Sequence, residues 1–410
     1  MEHGHGAAAM NKRIAIVTGV PAPYREPVFQ RLAARPGVEL KVFYCTHGHD
    51  NVAWAGEASA SFEYVKEFPK NFTPKRFQRL PFLGYTNFGL SAALRDFEPQ
   101  FVVVYGYNQS THWLAFRYCL ANGVPFALRS DSNVHIDLNR SWRSSMRRRL
   151  LHWLVKRAGA VLPVGSANRG YWEAFGAQPS QIHLAPYAVD NDHIAEAVCE
   201  RRRDPRGHVR FLYIGRLLPR KGVDLLIEAF NRIADDRCTL TIVGDGPEAE
   251  ALKAAQTPEA AARTTWAGKL ANDEALRRYA DADVFVLPSR YEPWGLVVNE
   301  AMAAGLPVIA DRRCGAAMDL IDDGVTGRKL GELSIESIAA AMSEFVAEPG
   351  RAAEQGTAAR LRIQTWNFDR TVDGFLRAFD ASTNASAASE LSRPSQERAS
   401  LSATLIRSAS

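Results

Sequence analysis

Short apolar runs alternate along the chain with longer segments in which apolar residues have helical spacing. Apolar runs of strand length, rich in β-branched and aromatic residues, predict buried strands at 13–18, 40–45, 101–105, 125–129 and 160–164. Between these runs, helical spacing predicts helices at 28–34, 111–120 and 171–175. Strands that alternate with helices are typical of a parallel, doubly wound sheet.

The same pattern starts again after a charged segment with helix breakers at 200–207, which has the composition of a linker. The later predicted strands are 209–215, 239–244, 264–267, 284–288 and 307–310, and the later predicted helices are 223–233, 248–255, 273–280, 296–304, 334–345, 352–365 and 368–379. We therefore predict an α/β protein with two Rossmann-like, doubly wound domains at 12–200 and 201–365 and a C-terminal helix at 366–380. Residues 1–11 and 381–410 are expected to be a disordered lead-in and tail.

Length and composition fit this picture and exclude several classes of protein. A chain of 410 residues accommodates two domains of ordinary size. The net charge of +5 is too small to indicate nucleic-acid binding by itself. The five cysteines are widely spaced and form no CxxC pair, which favours free thiols over a disulfide framework or a zinc site. No apolar run reaches the roughly 18 residues that span a membrane, so we expect a cytoplasmic protein.

The segment 140–157 combines a basic face with an apolar, aromatic face when it is drawn as a helix. Two interpretations are open. The helix either packs its apolar face on the sheet with its arginines in water, or lies on the anionic inner face of the cell membrane. A nucleic-acid role is not favoured, because no nucleic-acid-binding module accompanies these arginines.

Ligands of doubly wound sheets bind beyond the carboxyl ends of the strands, so the residues there are the candidates for function. In the first half these are Tyr24, Arg25, Tyr105, Tyr107 and Asp131. The aromatic side chains after the strand at 101–105 either stack on a sugar or are ordinary strand-end aromatics. The carboxylate of Asp131 either orients an acceptor or is a loop acid.

In the second half, the loop after the first strand carries two fixed cations, Arg216 and Lys221. A planar fork beside a point charge suits a diphosphate, although basic residues are also common in ordinary loops. After a later strand, Gly295 begins a helix whose first N–H groups lack intrahelical partners and attract anions. Glu292 and Glu300 flank this helix start, either as ligand-binding acids or as solvated surface residues.

Three motifs in this order, GRLLPRKG at 215–222, GDG at 244–246 and EPWGLVVNE at 292–300, resemble those of the retaining glycosyltransferases of the GT-B fold, family 4. The resemblance is strong over 210–327 and looser before it. It implies that two Rossmann-like domains face each other across a cleft, with a sugar nucleotide held mainly by the second domain and an acceptor by the first.

The resemblance also implies a role for each matching residue. Arg216 and Lys221 would bind the donor diphosphate and stabilise its charge as it leaves. Glu300 would accept hydrogen bonds from the ribose, and Glu292 would contact the transferred sugar. The implied catalytic residues are Glu292, Arg216, Lys221 and Asp131. The implied donor-binding residues are Gly215, Arg216, Lys221, Gly244, Gly246, Glu292, Trp294, Gly295, Leu296 and Glu300, and the acceptor-side residues are Tyr24, Arg25, Tyr105 and Tyr107.

The implied reaction moves a hexose from a nucleoside diphosphate sugar to an acceptor with retention of anomeric configuration, without a metal ion or a cofactor other than the donor. The basic segment at 140–157 favours a lipid-linked acceptor or a growing surface polysaccharide. Two alternatives stay open. One is a sugar-nucleotide epimerase or hydrolase on the same scaffold, and the other is a catalytically silent subunit that binds a partner.

The chain departs from the family pattern in three places. Many members have a histidine after the strand at 126–129, where this chain has Asp131. The family's Gly-Gly-x-x-Glu pattern is replaced by 314–319, in which the backbone of Gly315 and Ala316 is expected to contact the sugar. The first loop, at 21–25, contains two prolines instead of a glycine-rich turn.

Overall fold

The computed structural model describes residues 11–46, 65–67, 70, 84–133, 142–198 and 207–391. Its first sheet is parallel, with six strands in the order β3-β2-β1-β4-β5-β6. These strands are β1 (Lys12–Thr18), β2 (Val38–Tyr44), β3 (Val65–Glu67), β4 (Phe101–Tyr105), β5 (Phe126–Arg129) and β6 (Ala160–Val161). The central strands are buried on both faces, which is why they appear in the sequence as continuous apolar runs.

The described residues of the first half form six helices. They are α1 (Glu26–Ala33), α2 (Leu90–Phe97), α3 (Ser110–Asn122), α4 (Trp142–Val155), α5 (Ser166–Ala174) and α6 (Asn191–Ala197). The last of them, α6, packs on helices of the second domain, where Ile194 joins the core. The sequence analysis did not predict α2, α6 or the short strand β3. Residues 1–10 of the predicted lead-in at 1–11 and the predicted domain boundary at 200/201 lie outside the described residues.

The second sheet is also parallel, with six strands in the order β12-β11-β10-β7-β8-β9. Its strands are β7 (Val209–Ile214), β8 (Cys238–Val243), β9 (Thr264–Gly268), β10 (Val284–Leu287), β11 (Val308–Asp311) and β12 (Gly327–Leu330). Its helices are α7 (Val223–Asn231), α8 (Ala249–Ala254), α9 (Pro258–Ala262), α10 (Asn272–Ala280), α11 (Leu296–Ala303), α12 (Gly315–Leu320), α13 (Ile335–Ala347) and α14 (Gly350–Ile363). The predicted α/β class with two Rossmann-like domains is confirmed.

The last helix, α15 (Phe368–Leu391), returns to the first domain. It packs there against α1 and β6, and the rings of Phe101 and Phe379 meet edge-on with centroids 5.9 Å apart. The prediction that the helix ends at 380 and that 381–410 is disordered is wrong for 381–391. That stretch contains neither glycine nor proline to end the helix, so it continues. Residues 392–410 lie outside the described residues.

The apolar face of α4 packs on the first domain, as one of the two interpretations of the basic segment requires. Leu151, Leu154 and Val155 are fully buried there. The outer side still carries large apolar side chains, because Met146 is 60% exposed and Trp153 is 38% exposed. Of the segment's arginines, Arg140 and the side chain of Arg143 lie outside the described part of the chain.

Candidate active site

The loops that follow the strands of the two sheets meet each other. Asn133, after β5, donates a hydrogen bond from Nδ2 to the carbonyl oxygen of Pro293, at 3.3 Å. Ser166, at the start of α5, donates from its backbone N–H to a carboxylate oxygen of Asp319, at 2.8 Å, and also donates its hydroxyl to that carboxylate. These bonds join the loops at the carboxyl ends of the two sheets, so the two domains share one crevice.

A buried ion pair lies at the second domain's side of this place. Lys221, after β7, donates a hydrogen bond from Nζ to Oε2 of Glu292, after β10. Only 8% of Glu292 is exposed, and Ser289 Oγ also donates to Oε2, at 3.4 Å. The resemblance assigned these two side chains to different parts of the donor. The structure places them in direct contact, although 71 positions separate them in the chain.

Arg216 is exposed on the loop that also carries Lys221. Its carbonyl oxygen accepts a hydrogen bond from Tyr213 Oη at 3.1 Å, which fixes the backbone of the loop. Its exposed guanidinium has no hydrogen-bond or ion-pair partner among the residues that the structure describes. The backbone of Arg216 is therefore held in place, and its guanidinium is free to bind an anion.

The start of α11 offers backbone donors next to the ion pair. Gly295 adopts φ +96°, and a Cβ there would lie 3.1 Å from Glu292 Cγ and from Cys314 Sγ. The glycine thus allows the turn to fold tightly over Glu292. In the described part of the chain, the N–H groups of Trp294, Gly295 and Leu296 have no acceptor. They form the kind of helix start that binds phosphate.

Glu300 lies one turn into α11, where Tyr279 Oη donates a hydrogen bond to its Oε2 at 2.8 Å. Burial raises the pKa of Glu300, and the hydrogen bond from Tyr279 opposes this rise. The sequence pattern predicts Tyr279 only as a residue of the helix at 273–280 and gives no sign of this contact. The bond fixes the carboxylate's position at the donor side of the crevice.

We expect Glu300→Gln to bind the nucleotide about tenfold more weakly, because an amide replaces a charged acceptor. The same variant should be more stable than the wild type. Folding raises the pKa of this carboxyl above its ordinary value of 4.5, so the folded protein loses stability as the pH rises from 4.5 through the raised pKa. Glutamine accepts the bond from Tyr279 without this loss. Thermal unfolding between pH 4 and pH 8 should show that the stability advantage of Glu300→Gln over the wild type grows as the pH rises. A constant difference would contradict the assigned cause.

The glycines of the GDG motif leave room for the backbone of the neighbouring loop at 215–217. A Cβ on Gly244 would lie 1.8 Å from the carbonyl oxygen of Gly215, and one on Gly246 would lie 2.1 Å from that of Leu217. The N–H of Leu217 donates to the carbonyl oxygen of Asp245 at 3.0 Å. The motif therefore lets the two loops touch, which holds the backbone of Arg216 in place. Direct donor contacts of Gly244 and Gly246 stay a prediction.

The backbone of Gly315 and Ala316, which is expected to contact the sugar, holds the loop that carries Glu292. The N–H of Gly315 donates to the carbonyl oxygen of Glu292 at 3.1 Å, and the N–H of Ala316 donates to that of Trp294 at 2.8 Å. The sequence gives no sign of these long-range backbone bonds. A sugar contact through this backbone stays a prediction.

The side chain of Trp294 faces the other domain. Its ring stacks on Trp366 with centroids 5.3 Å apart, and Nε1 donates to Asn299 Oδ1 at 2.9 Å. A Cβ on Gly165 would lie 2.3 Å from the Trp294 ring, so this glycine permits the close approach of the two domains. Asp319, at the family's glutamate position, is likewise engaged with Ser166.

A cavity of about 470 Å³ lies in the first domain, at the carboxyl ends of β4 and β5. It brings together four of the predicted residues, namely Arg25, Tyr105, Tyr107 and Asp131. Tyr24 does not line it and instead packs edge-on against Tyr187, with ring centroids 5.7 Å apart. The sequence analysis missed three further lining residues, Arg129, Arg147 and Tyr187. The first belongs to a strand that was predicted to be buried, and the second to the basic face of 140–157, which was predicted to face water or a membrane.

The two tyrosines predicted to stack on a sugar are held firmly. Tyr105 lies between the guanidiniums of Arg25 and Arg129, which are 4.9 and 5.4 Å from its ring centroid. Tyr107 Oη is 2.6 Å from Tyr171 Oη and accepts a hydrogen bond from Arg147 Nη2 at 2.9 Å. Both side chains therefore form rigid walls of the cavity.

Asp131 and Glu292 act electrostatically on one side chain, Tyr291. Burial raises the pKa of Tyr291 to about 12, with further contributions from the negative charges of Asp131 and then Glu292. The carboxylates of Asp131, from the first domain, and Glu292, from the second, thus lie within electrostatic reach of the same side chain. The described residues contain no cluster of His, Cys, Asp and Glu that could hold a metal ion. No helix in the described part of the chain is long and apolar enough to cross a bilayer.

Comparisons with known proteins agree with this architecture. The family model "Glycosyltransferase Family 4" matches residues 29–193, and "Glycosyl transferases group 1" matches residues 200–362. A glycogen synthase of Mycobacterium tuberculosis is 32% identical over 268 residues, covering 63% of this chain and 64% of the relative. A GDP-mannose-dependent alpha-(1-6)-phosphatidylinositol monomannoside mannosyltransferase of the same species is 34% identical over 227 residues, covering 51% and 58%.

The matched part of the chain thus spans between half and two thirds of the length of these curated relatives. Among solved structures, sucrose-phosphate synthase from Thermosynechococcus elongatus is similar in fold, with a TM-score of 0.69 and 20% sequence identity. That match covers 91% of this chain and 100% of the other. At this identity the likeness shows the fold.

Proposed function

Since the chain belongs to family 4 of the glycosyltransferases with the GT-B fold, we propose that it transfers a hexose from a nucleoside diphosphate sugar to an acceptor with retention of anomeric configuration. The observation that carries this proposal is the ion pair of Lys221 and Glu292, which lies beside the free N–H groups that begin α11. The cation Arg216 lies on the same loop as Lys221, so two cations and a helix start accompany one carboxylate at the proposed donor site.

Each of these groups has a distinct part in the proposed transfer. Arg216 and the N–H groups of Gly295 and Leu296 bind the diphosphate and stabilise the charge that grows as it leaves. An ammonium has three donors, and Glu292 occupies one of those of Lys221. The other two are available to the phosphate, so Lys221 links the leaving group to the carboxylate beside the sugar. These fixed cations support a transfer that uses no metal ion.

The remaining polar residues are assigned by their positions. Glu300, held by Tyr279, accepts hydrogen bonds from the ribose hydroxyls. Glu292 contacts the transferred sugar, and Asp131 faces it from the acceptor side, in the position that the family often gives to histidine. The crevice between the domains closes over the donor and excludes water, which favours transfer over hydrolysis.

The acceptor is proposed to be lipid-linked or part of a growing surface polysaccharide, bound near the inner face of the cell membrane. The support is α4, which lines the first-domain cavity with Leu150 and Leu151. The outer surface of the same helix presents arginines beside Met146 and Trp153. Basic and large apolar side chains on one exposed surface suit peripheral contact with an anionic membrane.

A thermal-shift screen with UDP, GDP, ADP and dTDP tests the donor site. We expect one nucleotide to raise the melting temperature of the wild type, because a ligand of the native state stabilises it by mass action. If no nucleotide binds, the silent-subunit alternative replaces the proposal. With the matching sugar nucleotide and no acceptor, nucleotide should be released only slowly. Rapid turnover of the donor alone would instead identify a hydrolase, and a changed sugar on the intact nucleotide would identify an epimerase.

A further inference from the structure

The first-domain cavity is strongly cationic. Three arginines line it, Arg25, Arg129 and Arg147, and Asp131 is the carboxylate among its lining residues. The lining therefore carries an excess of two positive charges. An excess of this size, inside walls of tyrosine and tryptophan rings, makes the cavity attractive to an anion and unsuited to a neutral sugar alone.

Two of these guanidiniums are fixed in place. Arg129 is 2% exposed and donates from Nη1 to the carbonyl oxygens of Ala185, at 2.7 Å, and Leu162, at 3.3 Å. Arg25 donates from Nη1 to Thr18 Oγ1 at 2.9 Å. Both guanidiniums also make a cation–π contact with the ring of Tyr105. The charges are thus held at set positions, so that little reorganisation would accompany binding.

Buried donors on the same lining lack partners. Nε of Arg129, Nε of Arg25 and the hydroxyl of Ser130 are buried and make no hydrogen bond. Folded proteins pair nearly all such groups, because an unpaired buried donor costs about 1–3 kcal/mol. The residues that carry these three donors all line the cavity, so unpaired polar groups add to the excess of positive charge there.

Arg147, on α4, is the third arginine that lines the cavity. It is half-buried and donates from Nη2 to the hydroxyl of Tyr107 at 2.9 Å. Its guanidinium also lies within hydrogen-bonding reach of the hydroxyl of Tyr171. Two hydroxyls therefore hold this cation in position on the lining of the cavity.

We propose that the acceptor of this enzyme carries a phosphate group, which binds between Arg147, Arg129 and Arg25. The proposal rests on the proposed function, since it assigns the acceptor of that reaction. A phosphate matches the site better than a carboxylate does, because it offers more oxygens to the unpaired donors and carries up to two negative charges. The donor diphosphate is bound elsewhere, on second-domain residues that do not line this cavity.

Calorimetric titration with inorganic phosphate tests this site. The nucleotide that raises the melting temperature most is first added to saturation, so that the donor side is occupied. Constant ionic strength removes general screening. We expect phosphate to bind the wild type and Arg148→Ala alike, because Arg148 is exposed on the same helix and does not line the cavity. Arg147→Ala should bind it at least about tenfold more weakly, the effect of losing one charge-assisted contact.

A second variant, Arg147→Gln, keeps a donor for Tyr107 while removing the charge, and thermal unfolding checks that both variants are folded. Equal phosphate binding by Arg147→Gln and the wild type would overturn the proposal. So would binding of acetate as tight as that of phosphate. These results differ from failure of the proposed function, in which no nucleoside diphosphate binds whatever the phosphate titration shows.

The source of the phosphate is distinguished by two further probes, glycerol 3-phosphate in solution and phosphatidylcholine vesicles that contain phosphatidic acid. Binding that Arg147→Gln weakens with vesicles supports a lipid headgroup as the source. Binding that Arg147→Gln weakens only with glycerol 3-phosphate supports a soluble phosphate ester. If Arg147→Gln alters neither, the phosphate assignment is overturned.

Discussion

Lys221→Ala is expected to lower the rate of sugar transfer by about a hundredfold to a thousandfold and the free energy of unfolding by about 3 kcal/mol. The activity falls because the leaving diphosphate loses a cation. The stability falls for a separate reason, since Glu292 is only 8% exposed and would be left as an unpaired carboxylate. Transfer assays with purified protein and denaturant unfolding measure the two effects.

A double-mutant cycle separates these two effects. Lys221→Ala/Glu292→Ala removes both charges and should therefore be more stable than Lys221→Ala alone, while remaining inactive. The neighbouring Arg220→Ala is the matched control, because its side chain is exposed and is not assigned to the donor. Near-normal transfer by Lys221→Ala would contradict the diphosphate role. A double variant as unstable as the sum of the two single variants would contradict the importance of the buried pair.

Arg216→Ala is expected to weaken nucleotide binding by about tenfold or more and transfer by about a hundredfold, with unfolding changed by less than about 0.5 kcal/mol. The guanidinium is exposed and has no partner among the described residues, so its removal breaks no internal contact. Nucleotide titration, steady-state kinetics and thermal unfolding of the same preparation test this combination.

Arg216→Lys separates charge from shape at this position. It keeps one positive charge but loses the planar fork, so it should recover part of the nucleotide affinity. A lysine variant that is no better than the alanine variant would show that bidentate geometry supplies the whole effect. An alanine variant that binds nucleotide like the wild type would remove Arg216 from the donor site.

Most strands of the two sheets could be predicted from the sequence because they are buried on both faces. Continuous apolar runs such as 101–105 and 284–288 have few other interpretations. The short edge strand β3 gave no such signal. The end of α15 was also missed, since the serine- and alanine-rich stretch 381–391 has the composition of a tail and yet contains no residue that breaks a helix.

The donor side was largely visible in the sequence for a similar reason. Arg216, Lys221 and the glycine before α11 lie in short loops at strand ends, and the doubly wound pattern gathers such loops at one edge of the sheet. The motif order therefore locates the candidate residues. It does not indicate that Lys221 pairs with Glu292, or that the N–H groups of Gly315 and Ala316 donate hydrogen bonds to the adjacent loop.

The sequence by itself determined the fold class, the position of the second-domain crevice and the residue types in it, because these follow from local periodicity and from the ends of strands. Only the tertiary structure decided which charges touch and which stay free. Periodicity predicts that Arg129 belongs to a buried strand and that Arg147 lies on the outward, basic face of a helix. The fold nevertheless brings both to one cavity with Arg25, because residues distant in the chain become neighbours only when the sheet and α4 pack together.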